Sequence, residues 1–439
     1  MVVIYVLKLF IFLLRTFTSN SATALPGLIL ERFFPRIVKR IFNQFNKVIL
    51  ITGTNGKTTT THMICYLLQQ NGIKTITNPS GSNLIRGIIS AIVDRMDIFG
   101  RVDAQVGVFE MEEGSIRKII KFISPDIIVV TNIFRDQLDA YGEIDKTYKY
   151  IKEAVEGSND PILILNGDDF RVADLKHYTR NTIIEIQVDH QYISQIKLEK
   201  NPFVEKTSNN TLNEGRLEKF LIKNVKVGRD LSVTFDLCGD VTNFLDNRIK
   251  VPGLHNAINA ALAILTVRET LSFPNMNLNL EDFNPVFGRG EIIELKDKKN
   301  GINKNFQILL AKNPAGMNLN LHLLTHCPLQ DAAVLILLND KIADGRDVSW
   351  IWDVDFRLLK RFDPSDIYIS GMRRWDLAVR LKYEGFTVKA ENIFDNIEKA
   401  LVQIRASKIY VLPTYTAMLE FRHAISKFTQ VKAMWRSNG

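Results

Sequence analysis

Lys47-Val-Ile-Leu-Ile-Thr-Gly-Thr-Asn-Gly-Lys-Thr-Thr-Thr-Thr61 is the stretch on which the fold turns. Val48 to Ile51 form an apolar, mostly β-branched run, as expected of a strand buried on both faces. Gly53 and Gly56 follow, and Thr59 to Gln70 reads as a helix. Strand, glycine loop and helix in that order aim backbone N–H groups and a helix N-terminus at an anion. The glycines let the main chain approach phosphate oxygens, Lys57 can reach the β- and γ-phosphates, and the Thr58 hydroxyl can ligate Mg2+. The spacing is Gly-x-x-Gly-Lys-Thr, because Ile51 stands where the longer phosphate-loop pattern has its first glycine. The stretch reads as a site for ATP or GTP.

The rest of the chain sets the bounds. At 439 residues it exceeds one core, and roughly two or three domains are expected. With 46% hydrophobic and 24% charged residues it has the composition of a folded soluble protein. A formal net charge of +8 favours an anionic partner: a nucleotide, phospholipid headgroups or a pyrophosphate-bearing substrate. No module interleaving aromatic and basic residues stands out, so no nucleic-acid partner is expected. Cys65, Cys238 and Cys327 lie far apart, which points to a reducing compartment and away from a disulfide framework or a cysteine-rich zinc site.

Val2 to Leu14 is almost wholly apolar but short of the ~20 residues of a membrane span. It lacks the basic start of a secretory signal, and an ATP enzyme belongs in the cytoplasm. The favoured expectation is a helix packed on the body of the protein. The alternative is an interfacial segment, a peripheral membrane contact helped by Arg32, Arg36, Lys39 and Arg40.

Several later strands end in polar groups. A strand over Gln105–Phe109 runs into Glu110-Met-Glu-Glu113, one over Asp126–Val130 into Thr131-Asn-Ile-Phe-Arg135, and one over Pro161–Leu165 into Asn166-Gly-Asp-Asp169. Polar strand ends separated by helical patterns predict a doubly wound α/β sheet with its ligand crevice along one edge. Glu110, first out of its strand, is the candidate second ligand for the Mg2+ held by Thr58. Glu112 and Glu113 suit a helix N-terminus by the dipole alone.

Residues 175–250 read as a small β-rich insertion. In Pro252-Gly-Leu-His-Asn-Ala-Ile-Asn259, Asn256 and Asn259 fall one turn apart and could hydrogen-bond a nucleotide base or cap the helix. After a linker at Phe273–Pro285 the α/β pattern restarts, with strands expected over Gln307–Ala311, Ala332–Leu338, Asp366–Ser370 and Lys408–Leu412. Asp340, Asp344, Asp347 and Asp353 crowd one strand end beside Trp350 and Trp352. The expected division is an N-terminal segment at 1–40, an ATP-binding domain at 41–280 and a second α/β domain at 281–439.

Gly53-Thr-Asn-Gly-Lys-Thr58 resembles the ATP loop of the Mur ligases and folylpolyglutamate synthases. Asn78-Pro-Ser-Gly-Ser-Asn-Leu-Ile-Arg-Gly87, Asn132-Ile-Phe-Arg-Asp-Gln-Leu-Asp139 and Phe287-Gly-Arg-Gly-Glu291 resemble the MurT family more selectively. So do Lys312-Asn-Pro-Ala-Gly316, the block from Asn339 to Asp353, and Leu412-Pro-Thr-Tyr-Thr-Ala-Met-Leu-Glu420.

The resemblance implies a Mur ligase-like ATPase domain followed by a Rossmann-like C-terminal domain, with ATP and Mg2+ as cofactors. It implies ATP-dependent amidation of the glutamate α-carboxylate in the lipid II stem peptide, through an acyl phosphate. A GatD-type class I glutamine amidotransferase partner would supply the ammonia. On this resemblance, Gly53, Thr54, Asn55, Gly56, Lys57, Thr58, Thr59, Asn256 and Asn259 are expected at ATP, and Asn83, Arg86 and Arg135 at substrate. Asp347 would complete the partner's Cys/His pair, with Asp344 and Asp353 as rivals. The four-cysteine zinc ribbon usual in the family is not carried over, because residues 175–250 hold only Cys238. Gln137 stands where many Mur ligases have a metal-binding histidine. Two other readings remain: a folylpolyglutamate synthase-like ligase, and a non-catalytic nucleotide-binding scaffold. Intact Lys57, Thr58 and Glu110 argue against the scaffold.

Overall fold

The computed structural model describes residues 25–78, 82–134, 144–193, 215–228, 230–271, 273, 275–284, 287–296 and 303–431. Two short helices, α1 (Leu25–Phe33) and α2 (Pro35–Phe42), lead into the phosphate-loop stretch, where β1 covers Lys47–Thr52 and α3 covers Lys57–Gln70. Pro35 suits the first turn of α2, where its missing N–H breaks no helical bond. Then β2 (Thr75–Ile76), α4 (Ile85–Arg95), β3 (Val106–Glu110), α5 (Glu113–Ile119), β4 (Ile127–Val130), α6 (Ile144–Glu156), β5 (Ile162–Asn166) and β6 (Ile183–Val188) alternate. Three longer strands, β7 (Leu217–Val227), β8 (Val233–Gly239) and β9 (Asn243–Ile249), precede the long helix α7 (Leu254–Leu271).

Among the described residues these nine strands make one sheet, in the order β2-β3-β1-β4-β5-β6-β7-β8-β9. It is parallel as far as β7 and antiparallel at β8 and β9. The β-rich stretch at 175–250 is therefore the far flank of the main sheet. From β1 the chain winds first toward β3 and β2, then returns to β4 on the other side. That reversal opens a crevice beyond the carboxyl end of β1, where the glycine loop lies.

The apolar run of β1 follows from burial on both faces. Val48 and Leu50 enter a core with Val38, Ile41 and Phe42 of α2 and Ile88 and Ile92 of α4. Ile49 and Ile51 enter the opposite core, with Met63, Ile64 and Leu67 of α3 and Ala260 and Ile264 of α7. Each such side chain contributes roughly 1.5–3 kcal/mol on full burial. Phe109 of β3 lies edge-on to Phe42 and Phe45, at 5.7 and 5.8 Å between ring centroids, which ties the end of α2 to the sheet.

The C-terminal part builds a second sheet from β10 (Arg289–Lys296), β11 (Asn303–Leu309), β12 (Ala332–Leu337), β13 (Ile367–Ser370) and β14 (Lys408–Pro413), in the order β10-β11-β14-β12-β13. Helices α8 (Pro314–Leu324), α9 (Arg374–Tyr383), α10 (Ile397–Gln403) and α11 (Tyr415–Ser426) pack around it. All its pairings are parallel except that of β10, an edge strand absent from the sequence reading. Among the described residues, no helix is long and apolar enough to cross a membrane.

Candidate active site

Gly53 and Gly56 hold φ of 120° and 88°, a region side chains rarely adopt. A Cβ on Gly53 would stand 2.4 Å from Thr131 Oγ1, and one on Gly56 2.4 Å from Asn259 Oδ1. Both close approaches require glycine.

The segment after β4 braces the loop. Thr54 N donates to Asn132 O at 2.8 Å, Asn55 N to Asn132 Oδ1 at 2.9 Å, and Thr131 Oγ1 to Asn55 O at 2.7 Å. From the end of β5, Asp169 accepts from Ile133 N at 2.6 Å and Asn166 Nδ2 donates to Thr131 O at 2.8 Å. The polar strand ends singled out in the sequence thus meet, and much of what they do is hold the phosphate loop in shape.

Lys57 is buried. Its Nζ donates to Gly53 O, to Thr54 O at 3.3 Å and to Glu113 Oε1 at 2.8 Å. Glu113 opens α5, as its dipole reading expects, but its carboxylate also reaches the loop cation. Glu110 lies in a different setting. Asn78 clips its main chain, accepting from Glu110 N at 2.9 Å and donating to Glu110 O at 3.0 Å. Its charge acts on Arg289 and His62.

The C-terminal part reaches into the same crevice. Arg289 Nη2 donates to Thr58 Oγ1 at 3.1 Å, and Asn313 Nδ2 donates to Asn55 Oδ1 at 3.1 Å. Asn313 also caps α8, accepting from Gly316 N at 2.8 Å. Arg289 stands between Gly288 and Gly290, at φ of 73° and 95°, and Glu291 beyond them is held by Arg422. Burial lowers the pKa of Arg289, while Glu110 and Tyr415 oppose the shift. The sequence reading assigned Arg289 no role; the glycine on each side of it was the available signal.

Asn256 and Asn259 sit at the loop as a linked pair. Asn256 Nδ2 donates to Pro252 O at 2.6 Å, and Asn259 Nδ2 donates to Asn256 Oδ1 at 2.9 Å. Beside them burial, with a further contribution from Arg289, depresses the pKa of His255 to about 4. The stability tied to its neutral imidazole is fully present above the unfolded value of 6.5 and is lost as pH falls toward 4.

The remaining expected residues divide. Asn83 O accepts from Glu112 N at 3.1 Å, which sets Asn83 beside the end of β3. Arg86 is exposed in the first turn of α4, and Arg135 lies outside the described residues, as does Gln137. Asp344 is buried and accepts from Thr416 N at 2.7 Å, from Thr416 Oγ1 and from Lys341 N at 3.2 Å. Asp347 and Asp353 are exposed, and Asp347 accepts from Ser349 N at 2.8 Å. The three cysteines fall on separate elements: Cys65 in α3, Cys238 in β8 and Cys327 beyond α8.

Among the described residues no cluster of three or more His, Cys, Asp or Glu could hold a metal by itself. Mg2+ bound with a nucleotide takes most of its oxygens from phosphate and water, so one or two hard donors suffice. The Thr58 hydroxyl and the Glu110 and Glu113 carboxylates are donors of that kind. The residues present fit such an ion.

Residues 51–267 match the Mur ligase middle domain, and residues 310–418 match the MurT ligase C-terminal domain. The chain is 29% identical over 435 residues to the Streptococcus pneumoniae lipid II isoglutaminyl synthase (glutamine-hydrolyzing) subunit MurT, covering 93% of each chain. It is 34% identical over 386 residues to the Staphylococcus aureus subunit of the same name, covering 83% of each. The chain belongs to the MurT family. Its fold is that of the Mur ligases: the crystal structure of MurF from Acinetobacter baumannii superimposes with a TM-score of 0.66 over 92% of this chain and 80% of that one, at 16% identity. Membership in the MurT family makes the chain an ATP-dependent ligase. Both MurT relatives are named as subunits, so a partner subunit belongs to their assembly.

Proposed function

We propose that this chain activates the glutamate α-carboxylate of the lipid II stem peptide with ATP, and that ammonia from a GatD-type glutaminase partner converts it to isoglutamine. The observation that carries this reading is the phosphate loop closed from the C-terminal part by Arg289 and Asn313. A carboxylate resists ammonia because its oxygen is a poor leaving group. Attack of a carboxylate oxygen on the γ-phosphorus expels ADP and leaves an acyl phosphate. Ammonia then adds to the carbonyl carbon, phosphate departs and a proton is lost to solvent.

Lys57 and Arg289 stabilise charge spreading over the transferring phosphoryl group. A magnesium ion, held by Thr58 with Glu113 or Glu110, would neutralise phosphate charge at the same place. Asn83 and Arg86, with Arg135, are assigned to the stem peptide, and Asn256 and Asn259 to the nucleotide.

The partner is assigned to the face carrying Asp347. Trp375, Val379 and Tyr383 repeat every four residues along one exposed side of α9, and Trp352 lies edge-on to Tyr383 at 5.4 Å. Exposed aromatic stripes of this kind mark protein interfaces. Asp344 is too deeply bonded to reach a partner, which leaves Asp347 as the first choice over Asp353. With the partner present, Asp347→Asn should keep ADP release driven by ammonium chloride within about twofold and cut glutamine-driven release by about a hundredfold or more. Equal losses with both nitrogen sources would reject this role.

A further inference from the structure

Residues 97–101 form a closed turn whose tip the fold does not use. Asp97 N donates to Arg101 O at 2.9 Å and Gly100 N to Asp97 O at 3.1 Å, while Asp97 Oδ1 accepts from Phe99 N and Arg101 N. Met96 and Val102 bridge its base. These bonds close the turn, yet Ile98 and Phe99 are 64% and 58% exposed. Gln44 clamps the turn, donating from Nε2 to Gly100 O at 3.1 Å and accepting from Val102 N at 3.0 Å. Because Gln44 follows closely on α2, the apolar tip is mounted at the end of that helix.

Helix α2 has one buried side, Val38, Ile41 and Phe42, and one cationic side. Arg36, Lys39 and Arg40 fall at i, i+3 and i+4 and are all exposed. Arg32 and Phe33, at the end of α1, are exposed as well. No ion pair ties Arg32, Arg36, Lys39 or Arg40 to a described residue. Two acids close by in sequence are engaged elsewhere: Asp97 accepts from its own turn, and Asp103 pairs with Lys74 at 2.8 Å. Arg101 holds its guanidinium over the Phe99 ring at 5.8 Å.

We infer that the cationic side of α2 and the Ile98–Phe99 tip together seat this chain on an anionic phospholipid bilayer. Unpaired cations meet anionic headgroups, and two apolar side chains on a rigid turn enter the acyl boundary. Neither signal alone holds a protein at a membrane, but the two together do. A globular partner would demand a shaped apolar surface, and here two side chains project from a turn. The purpose of this face rests on the proposed lipid-linked substrate; the geometry stands apart from it.

The test uses the full chain with substrate-free vesicles of phosphatidylcholine, with and without phosphatidylglycerol, read by co-sedimentation at rising salt. Binding should require phosphatidylglycerol and fall with salt. Arg36→Glu, Lys39→Glu and Arg40→Glu combined should weaken it by about tenfold or more. Ile98→Ser with Phe99→Ser should weaken it by a similar factor, and both variants should keep wild-type melting and ATP turnover on a soluble substrate analogue. Wild-type protein that stays in the supernatant overturns the inference. So does undiminished pelleting of both variants. Neither substrate nor partner is in the assay, so a negative result leaves the amidation reading standing, and failed amidation would leave this result untouched.

Discussion

Lys57→Ala should lower the rate of ADP release by about 10³-fold, with the protein still folded. The expectation follows from where the ammonium sits. It lies on the carbonyls of Gly53 and Thr54, within the glycine loop assigned to phosphate, and is paired with Glu113 at 2.8 Å in a site closed to solvent. One donor aimed at developing charge in a dry site is worth roughly 10²–10³ in rate. The substitution also strands a buried carboxylate, at a structural cost of about 3–5 kcal/mol. A second variant separates the two effects: Lys57→Ala with Glu113→Gln should recover much of the melting temperature and none of the turnover. Single-turnover ADP release on the assembled enzyme, with thermal melting alongside, reads both quantities. Turnover within about tenfold of wild type would mean that Lys57 holds the loop and does no more.

Arg289→Ala should be the next most damaging change, and it acts between the two parts of the chain. The side chain is half-buried, its guanidinium donates to Thr58 at 3.1 Å, and it feels the charge of Glu110. Its removal takes away a cation at the phosphate end of the crevice and leaves Glu110, itself buried, without that counter-charge. The expected result is about a 10²-fold fall in kcat together with a lower melting temperature. Arg289→Lys should restore stability better than rate, because a lysine keeps a charge near Glu110 but lacks the planar guanidinium that donates to Thr58 Oγ1. The pKa of His255 should rise in Arg289→Ala, since one of its two depressing causes is gone. A titration of the imidazole by NMR would follow this. An unchanged kcat would place Arg289 among merely structural contacts.

The two predictions differ in how readily the sequence yields them. Lys57 sits in a local pattern of strand, glycines and helix, each defined by neighbours within a few residues, so its site can be read in order along the chain. Arg289 meets Thr58 across 231 positions, and no local periodicity carries such a pairing. Glu113 shows a third case. Its place at the start of α5 was already accounted for by the helix dipole, which concealed its second contact with Lys57. Strand β9 escaped notice because most of it is exposed and polar at the sheet edge, with no apolar alternation to mark it. The second α/β sheet was legible in every strand except its edge strand β10, because Ala332–Leu337 and Lys408–Pro413 are buried on both faces, as β1 is.

The central claim is that the crevice beyond β1 turns a carboxylate into a leaving-group-bearing acyl phosphate before nitrogen arrives. Oxygen-18 in the stem-peptide glutamate α-carboxylate tests it most directly, with the chain, the proposed glutaminase partner, ATP and glutamine supplied. Each isoglutamine formed should release one inorganic phosphate carrying a single label, with one ADP per amide. Unlabelled phosphate, or amide formed without ADP, would contradict it.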